Sequence, residues 1–464
     1  MKDKRIENRR ATRLVAIVGT TLALAVPAFG QKLDIEKEKV VRSGRPDGRH
    51  VSTRGFVQHL IRNARPKLAF DPEFTPAEFN KWRARVRAKM EELLDFPEPP
   101  PQPTPRRLWV KQREGYALEK WEVYPEPGSV VPFLVLIPDG VSADKPAPAV
   151  MCFPGSSDTK ENLAGEPPLH PAFKPRDRSH AGVQHGVRNQ QALQFVRAGL
   201  VAVAVDHPGN GELSDLAKHR GTAMDERNTL ARYLIDFGRD YISLSVFQKR
   251  RILEWLRERP DVDADRIALS GHSLGTEPLL AMAALDLKIN AIVWNDFLCP
   301  NPERAKVATK PNSRGVRPTA NWLGHCVPGL WEWFDYPDLV AAFAPRPLIL
   351  TEGGPGHSLD LVRKAYEIAG ASKNLSVHHY PKYSDPADRR DGKPIPEGLD
   401  DLEWLDHANV DAPHHYFKGY LAVPWLAGQF ELPAPGKVYP PAPPEAGGES
   451  QGERGGAGIP SGCR

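Results

Sequence analysis

One short stretch restricts the possible folds of this chain more than any other. The apolar segment Arg266-Ile267-Ala268-Leu269-Ser270 runs straight into Gly271-His272-Ser273-Leu274-Gly275, and the apolar segment Leu274–Leu285 follows at once. The first segment reads as a buried strand and the last as a helix, so the pentapeptide must turn the chain from one to the other within a few residues. A turn that tight crowds the backbone, and only glycine fits two positions either side of the serine. It also forces Ser273 into a strained conformation with its hydroxyl held above the sheet edge. The alternative, a serine that merely caps a helix, does not explain why strand, glycines and helix occur together.

Strands and helices alternate around this element over residues 106–432. Trp121–Tyr124 and Val130–Ile137 read as a hairpin. Ala149–Phe153, Leu200–Val205, Ile267–Ser270, Ala291–Trp294, Leu348–Thr351 and Leu375–Tyr380 are further strands, and 239–259, 359–369 and 416–429 are helices. Continuous apolar strands separated by helices indicate a mostly parallel sheet covered on both faces, with ligands at the carboxyl ends of the strands.

A serine hydroxyl is a weak nucleophile near neutral pH and needs a histidine base oriented by a carboxylate. Behind a strand–elbow–helix element the chain order is serine, acid, histidine. The base should therefore follow the last strand and precede the last helix, where His414-His415 stands. His415 is preferred as the residue nearer the helix, with His414 as the alternative. The acid should lie just past strand 348–351. Glu352, fixed at the strand end, is chosen over Asp360, which reads equally as a favourable charge near a helix N-terminus, and over Asp296 after strand 291–294. An acyl-transfer site also needs two backbone N–H donors for the developing oxyanion. Leu274, next to the serine, supplies one. Ser156, in the turn Phe153-Pro154-Gly155-Ser156-Ser157, is expected to supply the other. Asp206-His207-Pro208-Gly209 reads as a turn-holding element near the mouth of the site.

At this point the chain resembles the α/β-hydrolase superfamily, and within it the dienelactone hydrolase and acetyl xylan esterase-like branch. The similarity covers about 75–430 and rests on FNKWRARVRAKMEELL, CFPGSSDTKENLAG, VAVDHPGNGE, GHSLG, APRPLILTEGG and HHYFKG. The resemblance implies an α/β-hydrolase fold and a serine carboxylesterase acting on carbohydrate esters, without a metal or an organic cofactor. Ser273 matches the nucleophile, His415 the base, and Ser156 with Leu274 the oxyanion donors. The usual Gly-x-x-Asp after strand 348–351 is missing, so Glu352 is placed by position alone.

The flanks read as follows. Residues 1–30 have a basic start and the apolar run Leu14–Gly30 broken by Pro27, the pattern of a cleavable signal peptide. That predicts a periplasmic or secreted protein without stable membrane insertion. Residues 31–105 form an N-terminal arm, a helix from Pro76 capped by Thr75, and the Pro-rich connector 97–105. Residues 433–464, rich in Pro, Gly, Ser and Glu, read as a disordered tail. The formal net charge of +4 is carried entirely by the first thirteen residues. The remainder is balanced, which argues against a nucleic-acid partner. Four cysteines are too few for a disulfide framework. Cys299 and Cys326 bracket an insertion at 297–340 and either pair or stay as thiols. That insertion carries Trp322, Trp331, Trp333 and Phe334 with Arg304, Arg314 and Arg317. The tryptophans either stack on sugar rings or pack the insertion onto the domain, and the arginines suit a carboxylate on the substrate. Segment 156–190, with Lys160, Glu161, Arg176, Arg178, His180 and His185, is expected to cover the other side, and no metal site is expected. Two other readings remain: a prolyl-type peptidase, disfavoured because no propeller-sized segment precedes the hydrolase region, and a non-catalytic binding protein on the same scaffold.

Overall fold

The computed structural model describes residues 45–99, 104–156, 158–170, 185–215, 223–301, 323–378 and 415–436. The expected signal peptide, most of the expected tail, His414, Trp322, Arg304, Arg314, Arg317, Arg176, Arg178 and His180 lie outside them. The chain divides into two units, Met1–Val57 and Gln58–Arg464. In the first, Arg45 pairs with Asp47 and the helix α1 (Thr53–Asn63) begins.

The second unit contains a nine-stranded sheet of order β1-β2-β3-β5-β4-β6-β7-β8-β9. The strands are β1 (Arg106–Arg113), β2 (Tyr116–Val123), β3 (Val131–Pro138), β4 (Ala147–Phe153), β5 (Val201–Val205), β6 (Val262–His272), β7 (Ala291–Asn295), β8 (Leu348–Leu350) and β9 (Leu375–Val377). β1 through β3 pair antiparallel and β3 also meets β5 antiparallel, whereas every pair from β5 to β9 is parallel. The mostly parallel α/β-hydrolase sheet expected from the sequence is present. β1 was not anticipated. Its RRLWVKQR composition is polar because it forms an edge with one side in solvent, and charge on an edge discourages pairing with other chains.

Strand alternation sorts the core residues onto two faces. Ala149, Met151, Phe153, Val201, Val203, Val205, Ile267, Leu269, Ile292, Trp294, Leu348 and Leu350 point to one side. Val150, Cys152, Ala202, Ala204, Ala268, Ala291, Val293 and Ile349 point to the other. The first face is covered by α2 (Pro76–Leu94), α4 (Tyr241–Arg257), α5 (Thr276–Leu285), α6 (Tyr336–Ala341) and α7 (Gly356–Ile368), while α3 (Ala223–Asp236) lies beside α4. α8 (Gly419–Gln429) and the short helix Gln191–Arg197 cover the second.

Thr75 and Glu78 form a capping box on α2, and the helix buries Phe79, Trp82, Val86, Met90 and Leu94, which recur along one face. Full burial of side chains this size is worth about 1.5–3 kcal/mol each, enough to anchor a single helix firmly. The stretch just ahead of it also enters the core. Leu68 and Phe70 are buried, Leu68 N–H bonds Trp333 O at 2.8 Å, and Phe70 N–H bonds the Asp338 carboxylate at 2.8 Å.

The same contacts decide the role of the insertion's aromatic residues. Trp333 lies beneath Lys89 Nζ at 4.0 Å and Lys67 Nζ at 4.6 Å, Trp331 packs on the core, and Phe334 is fully buried. These side chains fasten the insertion to the domain. Cys152, Cys299 and Cys326 are thiols, so Cys299 and Cys326 do not pair.

Candidate active site

β4 is followed along the chain by β5 on one side and by β6 on the other, so the direction of winding reverses at the carboxyl ends of β4 and β6. A crevice opens at such a reversal in α/β sheets. Phe153, the last residue of β4, stands opposite Gly271 of β6, which brings the turn after β4 against the serine elbow.

The two glycines of the elbow have separate tasks. A Cβ on Gly271 would lie 2.6 Å from Gly275 O, and a Cβ on Gly275 would lie 2.4 Å from Phe153 O. The first contact closes the elbow on itself, and the second presses the start of α5 against the β4 turn. Between them Ser273 adopts φ 52°, a region that residues with a Cβ seldom occupy and that costs of order 1–3 kcal/mol. Ser273 opens a short 3-10 turn that continues into α5, so Leu274 N–H sits at a helix start where backbone donors are left over.

The β4 turn is held from outside by two buried side chains. His207 Nε2–H donates to Pro154 O at 2.7 Å, and Arg227 Nη1 donates to Ser156 O at 2.9 Å. Burial, with the nearby Lys249 charge, pushes His207 well below the usual histidine range and keeps it neutral. Asp206 next to it is fully buried and accepts from the Lys160 backbone N–H at 2.7 Å and from Lys160 Nζ at 2.9 Å. Lys160 also pairs with Glu161 and Glu212. Lys160 and Glu161, expected to cover the site, are therefore buried ties between the turns after β4 and β5. The turn-holding reading of 206–209 fits what is seen.

On the far side, Glu352 follows the short strand β8 and is completely buried. His415 Nδ1–H donates to Glu352 Oε2 at 2.9 Å. Glu352 Oε1 accepts from Lys418 Nζ at 2.6 Å and Asn295 Nδ2 at 3.1 Å. Asn295 also donates to Tyr416 O at 3.1 Å and accepts from Lys418 N–H at 2.7 Å. Thr351 Oγ1 donates to the same Asn295 oxygen at 2.7 Å. Both Glu352 oxygens are thus occupied, and the ends of β7 and β8 are tied to the loop that carries His415.

The charges are tuned accordingly. Burial alone would raise the Glu352 carboxyl, but the Lys418 ammonium and His415 hold it well below the carboxylate range. Burial disfavours the His415 imidazolium, yet the Glu352 carboxylate outweighs this and raises His415 above the usual histidine range. The other candidate acids have partners of their own. Asp360 is 72% exposed and pairs with Arg363 at 2.8 Å. Asp296 accepts from Phe297 N–H at 2.8 Å and acts on His415 through its charge.

Sequence reasoning gave no role to several groups here. The His272 ring lies 4.9 Å from that of His415, and its Nδ1 is 3.9 Å from Asp158 Oδ2. Burial lifts the Asp158 carboxyl to about 6 against the opposing bond from Asn189. Asn189 donates to Asp158 at 2.8 Å and accepts from Phe417 N–H at 2.9 Å. Asn295 and Lys418 were missed too, although a polar residue closing an apolar strand and a lysine inside HHYFKGYLAVPW are visible signals. Donor atoms of His272, Glu352 and His415 lie within 4.8 Å of one another. Glu352, however, already accepts from an ammonium, an amide and an imidazole N–H, and the ammonium supplies the positive charge beside it, so this set suits proton handling better than a metal ion.

Comparison with known proteins agrees with the fold. The model of the abhydrolase family matches residues 32–428. A solved protein of Bacteroides fragilis NCTC 9343, assigned as an acetyl xylan esterase, is 45% identical. The alignment covers 84% of this chain and 98% of that one, with TM-score 0.75. Methylesterase BT1017 is 17% identical over 72% of this chain and 64% of its own, TM-score 0.47. A glucuronoyl esterase from Solibacter usitatus is 16% identical over 67% and 87%, TM-score 0.43. No match was found among the curated proteins. The chain belongs to the abhydrolase family, in the acetyl xylan esterase-like branch of the α/β-hydrolases.

Proposed function

We propose that Ser273, His415 and Glu352 form a nucleophile–base–acid triad that removes acyl groups from carbohydrate esters through an acyl-enzyme, with Ser156 and Leu274 as oxyanion donors. The observation that carries this reading is the 2.9 Å bond from His415 Nδ1 to a fully buried carboxylate, on the same sheet edge as a serine at φ 52°. That bond fixes the tautomer. With the proton on Nδ1, the other ring nitrogen is left as the acceptor for the serine proton.

In the forward step Ser273 Oγ attacks the ester carbonyl while His415 takes its proton. The negative charge that develops on the carbonyl oxygen is met by the backbone N–H groups of Leu274 and Ser156. His207 and Arg227 hold the second of these in place before substrate arrives, which is what makes such donors effective. The imidazolium then protonates the departing alcohol, leaving the acyl group on Ser273. Water, deprotonated by the same imidazole, releases the acid and restores the hydroxyl.

An acetylated plant polysaccharide is the substrate class that fits the branch, with acetate as the acid released. Export by the basic and apolar N-terminal segment would place the enzyme where such polymers occur. Among the described residues no helix is long and apolar enough to cross a membrane. The test is acetate release from acetylated xylan, compared with methanol release from methyl-esterified uronates. Acetate release that disappears in Ser273→Ala is expected. Turnover confined to the methyl esters would move the proposal to a different ester.

A further inference from the structure

We propose that Lys418 is a positioning residue of this site: it clamps the Glu352 carboxylate to the loop carrying His415 and sets the pH range in which that imidazole works as a base. The inference rests on the triad reading above and adds a fourth member, a cation, to it.

The geometry is that of a built-in clamp rather than a chance ion pair. Lys418 Nζ lies 2.6 Å from Glu352 Oε1 and 2.8 Å from Tyr416 O, and its side chain is 3% exposed against 0% for Glu352. Its backbone N–H is bound as well, to Asn295 Oδ1. One residue therefore grips the carboxylate from the side opposite His415 and grips the main chain immediately after His415. A lysine buried this deeply loses its hydration, and burial pushes its own ammonium below the usual range despite Glu352 beside it. An uncharged residue packing against α8 would avoid that cost, so a purely structural role explains the lysine poorly.

The chemical consequence follows from counting charges. Glu352 alone would attract a proton onto His415 and stabilise the imidazolium strongly. Lys418 offsets part of that attraction, while the carboxylate keeps enough charge to orient the ring. Five groups face or act on His415: Glu352 from β8, Lys418 from the start of α8, Asp296 after β7, His272 on the elbow, and Asp158 after β4. Arg188, stacked on Tyr416 at 4.3 Å, adds a second cation near Lys418. Removing the lysine leaves Glu352 and Asp296 less opposed, so the imidazolium persists to higher pH.

The test is the pH dependence of kcat/KM for an activated acetyl ester, measured on the full chain. Lys418→Met is expected to move the midpoint of the acid limb upward by about half a pH unit or more. It should also lower kcat about tenfold with KM within about twofold, because ground-state binding is untouched. Lys418→Gln keeps donors for both oxygens without the charge, and the same upward movement is expected should the methionine variant fail to fold. Lys418→Arg, which retains the charge, should restore the wild-type midpoint. An acid limb that stays at the wild-type midpoint in a folded neutral variant would overturn the proposal while leaving the triad intact. A wild-type enzyme indifferent to Ser273→Ala would instead remove the reading beneath it.

Discussion

Replacing Ser273 with alanine is expected to lower kcat/KM for an activated acetyl ester by about 10⁴-fold or more, with the protein still folded. The size follows from the role assigned to the hydroxyl. Without a nucleophile the base and acid have nothing to activate, and only substrate binding and the oxyanion donors remain to accelerate direct attack by water. Folding should survive, because alanine has the same Cβ that the elbow already accommodates at φ 52°. The two glycines that make room for the turn are unchanged as well. A shift in stability within about 1 kcal/mol is expected, read as an unfolding midpoint close to that of the wild type. Assay and melting curve together separate loss of chemistry from loss of structure. Retention of more than about a tenth of the activity would remove Ser273 as nucleophile.

The second large effect concerns the acid. Glu352→Gln is expected to cost about 10³–10⁴-fold in kcat, whereas Asp360→Asn should change it less than about twofold. The geometry supplies the reason. Lys418 and Asn295 both donate to Oε1, so a glutamine would keep its carbonyl oxygen there and turn its NH₂ toward His415 Nδ1. That nitrogen would then have to accept, the ring proton would move to the other nitrogen, and the base could no longer take the serine proton. Loss of the charge also leaves the buried Lys418 ammonium without its counterion, a change that typically costs about 3–5 kcal/mol. A lower unfolding midpoint should therefore accompany the lost activity. Asp360 lies in solvent with Arg363, where removing one exposed carboxylate alters little. Equal activity of wild type and Glu352→Gln would show that another carboxylate orients the imidazole, with Asp296 next in line.

How much of this was legible in the sequence varied with the range of the interaction. The elbow was, because Gly271, Ser273 and Gly275 make their contacts within a few residues and in the adjoining turn. Strands β4 to β8 were legible too, since apolar runs buried on both faces have few alternatives. The polar edge strand β1 and the half-exposed helix α3 were not, as their patterns are those of any solvated segment. Glu352 and His415 were reached through the order of elements along the chain, which a sequence does record. Their supporting shell was hidden. Asn295 meets Tyr416 across 121 residues, and Lys418 meets Glu352 across 66. Such pairings arise only when β7, β8 and the start of α8 converge at one sheet edge. The aromatic residues of the insertion show the converse. Trp333 and Phe334 have the composition of a sugar platform, yet contacts with Lys89 and with the arm ahead of α2 make them anchors.

Covalent capture by a fluorophosphonate followed by peptide mass analysis reports whether the elbow serine is an activated nucleophile. The phosphorus should be found on Ser273, at one label per chain. Labelling should slow as the pH drops through the His415 transition and vanish in Ser273→Ala. A protein that hydrolyses esters yet resists the reagent, or carries the label on a residue other than Ser273, would show that Ser273 is not the activated nucleophile.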